Sequence, residues 1–253
     1  MSGDLVSFRM VYVAAREPGQ NSWKPDHELW RRGAAMASVP IEFSAHDAPA
    51  AAAALSKGGV DICVMDAGLP DEERAVVVKA AREAPSQPFT IEAASQGSPS
   101  GEDVGMQRPL DADAARRLVD ACVRAKIPNR VLVVDDSSTM RGIVRKILTA
   151  SRFSLDVHEA SAGETAIEHL QSGEFGMVFL DYNMPGLDGF ETLARIRRDF
   201  PALPVVMITS TLENAVADRA HSAGATAFLK KPFYPADIDA VLARHYGLQA
   251  PAD

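Results

Sequence analysis

Residues 176–189, GMVFLDYNMPGLDG, decide how this chain folds. The apolar run Met177-Val178-Phe179-Leu180 predicts a strand buried on both faces, as the strands of parallel sheets are. It stops at Asp181, and a loop containing Pro185, Gly186 and Gly189 follows at once. Open α/β sheets bind ligands beyond the carboxyl ends of their strands, so Asp181 stands where chemistry is expected. Three more apolar runs end in a comparable way. Residues 131–134, VLVV, run into Asp135-Asp136, residues 204–208, PVVMI, into Thr209-Ser210, and residues 227–229, AFL, into Lys230-Lys231-Pro232. The strand ends of one parallel sheet share an edge, so three acids, a hydroxyl and an ammonium are expected to converge there.

Outward from this stretch, apolar runs alternate with helical periodicity in both directions. In residues 128–253 strands are predicted at 130–134, 155–159, 177–180, 204–208 and 227–229, and helices at 138–151, 164–171, 190–199, 213–223 and 235–246. Residues 1–127 repeat the pattern weakly. Their strands are expected at 9–14, 41–44, 61–65, 88–93 and 104–106, and their helices at 26–38, 48–56, 72–84 and 112–126. Pro128 disfavours helix at Ile127 and marks the junction. The expected fold is α/β: two doubly wound, five-stranded, parallel-sheet domains of the flavodoxin-like kind in tandem, at 1–127 and 128–253. The halves differ between their fourth and fifth strands. The first spends 15 positions from Ala93 to Arg108, mostly the helix-poor SQGSPSGED, where the second spends 22 from Thr209 to Lys231. A missing or shortened fourth helix is expected in the first half.

Charge and composition exclude several function classes. The net charge is −8; residues 1–127 hold 14 Lys+Arg against 18 Asp+Glu, and the remainder 12 against 16. Neither half has the basic bias of a nucleic-acid-binding domain. There is no apolar stretch of membrane-spanning length, and the first ten residues lack a signal peptide's apolar core, so no membrane partner and a cytoplasmic location are expected. Cys63 and Cys122 both lie in apolar patterns and are expected as buried free thiols. The six histidines show no metal-ligand spacing, and no Ser-His-Asp arrangement can be defended. Trp23 and Trp30 flank a charged helix start, with partial core burial expected for both.

The convergent acids define the chemistry. Clustered carboxylates repel unless a cation offsets them, and Asp135, Asp136 and Asp181 are hard oxygen donors of the kind Mg²⁺ accepts. Lys231 adds a fixed positive charge. Such a setting can make Asp181 a nucleophile toward phosphorus, with Thr209 donating to a phosphoryl oxygen.

With VVDDSS, LDYNMPGLDG, MITS and LKKPF in order and at the usual spacing, residues 130–247 resemble a response-regulator receiver domain of two-component signalling. The resemblance implies that Asp181 accepts a phosphoryl group from a histidine kinase or a histidine phosphotransfer protein. It implies Mg²⁺ held by Asp136, Asp181 and the backbone carbonyl of Asn183, with Asp135 supporting the metal through water. Thr209 and Lys231 would bind the phosphoryl oxygens, and Phe228, three residues before Lys231, falls at the family's switch aromatic. The first half resembles the family only in outline. Asp66 in VMDAGLP matches the acceptor and Pro70 its offset, but Ala14 and Ala15 replace the acid pair, Ala93 the threonine and Arg108 the lysine. That half is expected to be a degenerate receiver that binds rather than reacts. Only LQAPAD follows Gly247, so the expected output is neither enzymatic nor DNA-binding but a downstream protein docking on the face built from residues 213–246. A Mg²⁺-dependent phosphatase of the haloacid dehalogenase type is the alternative, although that class has an acid two residues after its nucleophile, where Asn183 stands. The tandem order also resembles the front half of some diguanylate cyclases.

Overall fold

The computed structural model describes residues 7–15, 25–66, 68–94, 105–107, 111–210 and 219–248. Contacts gather the chain into two compact units, Ile127–Leu242 and Met1–Lys126 with Ala243–Asp253.

The first unit holds β1 (Phe8–Val13), α1 (Pro25–Ala35), β2 (Ile41–His46), α2 (Ala48–Ser56), β3 (Ile62–Met65), α3 (Asp71–Glu83), β4 (Phe89–Ala94), β5 (Gly105–Gln107) and α4 (Ala112–Lys126). Its strands are parallel in the order β2-β1-β3-β4-β5. One sheet face presents Val11, Val13, Cys63 and Met65 to Ala48, Ala51 and Leu55 of α2 and to Val77 and Ala81 of α3. Met10, Tyr12, Ile62 and Val64, the alternate residues of β1 and β3, are equally buried, which is why these strands read as unbroken apolar runs. Trp30 is fully buried. Both thiols, Cys63 on β3 and Cys122 on α4, are free and buried, and burial pushes each up to about 12. The expected shortening of the fourth helix, Trp23 and Arg108 lie outside the described residues.

The second unit holds β6 (Asn129–Val134), α5 (Ser138–Ala150), β7 (Leu155–Ala160), α6 (Gly163–Ser172), β8 (Met177–Asp181), α7 (Gly189–Asp199), β9 (Val205–Thr209), β10 (Ala227–Lys230) and, up to Leu242, α8 (Pro235–Tyr246). Its parallel order, β10-β9-β8-β6-β7, puts β6 between the strands that follow it in sequence, so the chain reverses direction across the sheet at β6. One core layer joins Leu132, Val134, Val178, Leu180, Val205 and Met207 to Ile167 and Leu170 of α6 and Leu193 and Ile196 of α7. Of the helix expected at 213–223, residues 219–222 are helical and 211–218 lie outside the described residues.

Among the described residues, no helix is long and apolar enough to cross a membrane.

Candidate functional site

The site lies at the carboxyl ends of β6, β8, β9 and β10, and local sequence explains how each end is held. β6 stops at Val134, and Ser137 caps α5 by accepting a hydrogen bond from the Met140 amide at 3.3 Å, so Asp135 and Asp136 fall in the turn between them. Beyond β8, Asp188 and Glu191 form a capping box that starts α7. A Cβ on Gly189 would lie 2.5 Å from the Asp181 carbonyl oxygen and 2.7 Å from the Tyr182 Cα, so only glycine lets this helix approach the acceptor loop. Gly186 has φ +78°, a left-handed turn position that glycine adopts without strain.

Strand register brings the predicted groups together. Val134 pairs with Leu180, so Asp135 and Asp181 follow neighbouring residues at the sheet's switch point. Asp181 pairs with Ile208, one residue before Thr209, and Thr209 pairs with Lys230, one residue before Lys231. The Lys231 ammonium donates to Asp181 Oδ1 at 2.7 Å and to Asp135 Oδ2 at 2.9 Å. Asp135 and Asp181 are buried and Asp136 is exposed, and one oxygen from each lies within 4.8 Å of the others. This donor set, three carboxylates with one edge open to water, fits a hard divalent cation that keeps part of its hydration shell.

Electrostatics follow from the burial. Burial pushes the Asp181 carboxyl above the ordinary aspartate value, with Asp135 adding to the rise; the hydrogen bond and charge of Lys231 and the amide of Asn183 pull the other way. Burial works against the Lys231 ammonium, yet its hydrogen bonds to Asp181 and Asp135 outweigh that and hold its pKa above the ordinary lysine value.

The other predicted residues fall as follows. Thr209 is fully buried at the end of β9, and its carbonyl accepts the Lys231 amide at 2.7 Å. Asn183 is exposed, and its side-chain amide donates to Ser210 Oγ at 3.3 Å. Phe228, like Tyr182 and Phe200, is half-buried and packs against the core layer of the second unit. Arg141 is a residue that sequence reasoning missed: from α5 it donates to the carbonyl oxygens of Asp135 and Asp136 and to Glu159 on β7.

The first unit has a different arrangement at the corresponding place. Val13 pairs with Met65 as Val134 does with Leu180, so Ala14 and Ala15 do stand at the levels of Asp135 and Asp136, and Asp66 at that of Asp181. Met65 pairs with Glu92 and Leu180 with Met207, which puts Ala94, rather than the expected Ala93, level with Thr209. Spacing along the sequence agrees, since Ala94 follows Asp66 by 28 residues as Thr209 follows Asp181 by 28. The Asp66 carboxylate accepts hydrogen bonds from the Tyr12 hydroxyl at 2.5 Å and the Gly68 amide at 2.8 Å.

The response regulator receiver domain model matches residues 131–243, the stretch that carries the site. Over 111 residues the chain is 40% identical to the chemotaxis protein CheY-3 of Vibrio cholerae, covering 43% of this chain and 85% of that relative. The chain belongs to the response regulator receiver family. Chemotaxis protein CheY of Pseudomonas aeruginosa is 38% identical over 106 residues, which is 41% of this chain and 85% of that relative. The solved structure of a probable two-component system response regulator/GGDEF domain protein superposes with a TM-score of 0.56 at 19% identity. It covers 95% of this chain and 99% of that one, so the likeness in fold extends over both units.

Proposed function

We propose that the second unit is the phospho-accepting receiver of a two-component pathway and that Asp181 is its acceptor. The single observation that carries this is the Lys231 ammonium seated between Asp181 and Asp135 within an acidic trio. A carboxylate oxygen of Asp181 attacks phosphorus of a phosphohistidine on a histidine kinase or phosphotransfer protein. The phosphorus–nitrogen bond breaks, the imidazole nitrogen leaves with its electron pair, and an acyl phosphate forms. Lys231 is placed to neutralise the charge that gathers on the equatorial oxygens, and Thr209 to donate to one of them. Asp135, Asp136, Asp181 and the Asn183 carbonyl would hold Mg²⁺, which when bound supplies charge neutralisation at the transferring group. Asn183 stands where an aspartate phosphatase has its general acid, and an amide cannot serve as one.

Residues 1–127 form a degenerate receiver: alanines replace the acid pair, and Tyr12 holds the remaining aspartate. The output is contact with a downstream protein on the face of residues 213–246, with Phe228 following Thr209 toward the phosphoryl group, and it includes no catalytic step. The site is tested by treating the full chain with a small phosphodonor and Mg²⁺, reducing with borohydride and locating the modified residue by mass spectrometry. Label on Asp181 alone is the expected result; label on Asp66 would overturn the degenerate reading, and no label on Asp181 would overturn the acceptor assignment.

A further inference from the structure

Arg141 occupies the end of the first turn of α5, where a cation opposes the helix dipole, so local propensity does not account for it. Its guanidinium turns back over the acidic loop. Nη1 donates to the Asp135 carbonyl at 2.8 Å and the Asp136 carbonyl at 3.3 Å, while Nε donates to Glu159 Oε2 at 3.0 Å. Glu159 is itself held from the other side, its Oε1 lying 3.2 Å from Arg145 Nε. The chain of bonds continues past the loop. The peptide between Asp136 and Ser137 accepts Arg141 at its carbonyl, and its N–H donates to Asp135 Oδ1 at 2.8 Å.

We propose that Arg141 is the positioning residue of the acidic pair, fixing from behind the two peptide planes that set where the Asp135 and Asp136 carboxylates stand. The inference rests on the reading of Asp181 as a metal-dependent acceptor. Three carboxylates within 4.8 Å repel one another, and two of the three are on one short loop. Lys231 meets that loop through the Asp135 carboxylate, whereas Arg141 bonds the loop's backbone and leaves the carboxylate oxygens to a cation. Guanidinium geometry suits this role. A rigid fork can serve Glu159 through Nε and the carbonyls through Nη1 at once, which a lysine's single nitrogen cannot do in the same directions. Losing the fork frees the Asp136–Ser137 peptide to rotate, and with it the amide that holds Asp135.

The test is calorimetric titration of Mg²⁺ into the full-length wild type, Arg141→Ala, Arg141→Lys and Glu159→Gln, with urea unfolding recorded for each. Arg141→Ala is expected to bind Mg²⁺ about tenfold more weakly or worse, as loss of a residue supporting metal ligands usually does. Arg141→Lys should fail to restore affinity although it keeps the charge, and Glu159→Gln should show a smaller loss. Unchanged affinity in a folded Arg141→Ala overturns the proposal, and so does full restoration by lysine, because charge alone would then suffice. If Arg141→Ala does not fold, the lysine and glutamine variants decide the matter by the same criteria. A wild type that binds no Mg²⁺ overturns the metal-dependent reading of Asp181 itself, and the control separates that result from the failure of Arg141's role.

Discussion

Asp66 and Asp181 each follow a strand residue, Met65 or Leu180, that pairs with a valine of the unit's first strand. Each also takes an amide from two residues on, Gly68 or Asn183. The backbone therefore presents the two carboxylates alike, and the difference lies in what faces them. Asp181 meets an ammonium and two further acids. Among the described residues, Asp66 meets the phenol of Tyr12, a β1 residue level with Val133 of the second unit, and alanines stand at positions 14 and 15 where the second unit has acids. On the proposed reading, reactivity would depend on the groups at the neighbouring strand ends as well as on the aspartate itself.

The strongest way to break this comparison is to remove each aspartate in turn. Asp181→Asn should abolish phosphoryl labelling, whereas Asp66→Asn should leave its extent and rate unchanged, as read by mass spectrometry after treatment with a small phosphodonor. Equal losses in the two variants would mean that the units are functionally equivalent. A sharper version targets the ammonium. Lys231→Met removes the group facing Asp181, and the labelling rate should fall by about 10²–10³, the usual consequence of losing a donor aimed at developing charge. The smallest effect is expected in the first unit. Tyr12→Phe deletes a buried hydrogen bond to a carboxylate and should cost about 1.5–3 kcal/mol in urea unfolding of that unit, with Asp181 labelling untouched. Label appearing on Asp66 in this variant would show that the phenol, rather than the missing acids, silences it.

Strands β1, β3, β6, β8 and β9 were legible because a parallel sheet buried on both faces writes itself as short apolar runs, and every predicted strand overlaps an observed one. Asp135, Asp136, Asp181, Thr209 and Lys231 were legible as a group because each closes or follows such a run. What escaped depended on direction or on register. Arg141 reads as one more basic residue of an amphipathic helix, and nothing in its neighbours shows that its side chain turns back to two carbonyls. Tyr12 reads as a core aromatic, since its hydroxyl partner is 54 residues away. The expected Ala93 stands one residue short of the threonine level, because Asp66 to Ala94 spans the same 28 positions as Asp181 to Thr209. The pairing of Met65 with Glu92 gives the same level.

The placement of the two cysteines gives the molecule a built-in clock for the opening of one unit. Only a thiolate reacts with an alkylating reagent, and burial holds Cys63 and Cys122 at about 12, so the folded first unit offers almost none at neutral pH. The second unit has no cysteine at all. Alkylation of the native chain therefore counts excursions in which β3 or α4 is exposed, and it is blind to any motion of the second unit. Because the two thiols sit on a central strand and on a flanking helix, the ratio of their rates distinguishes peeling of that helix from unfolding of the sheet.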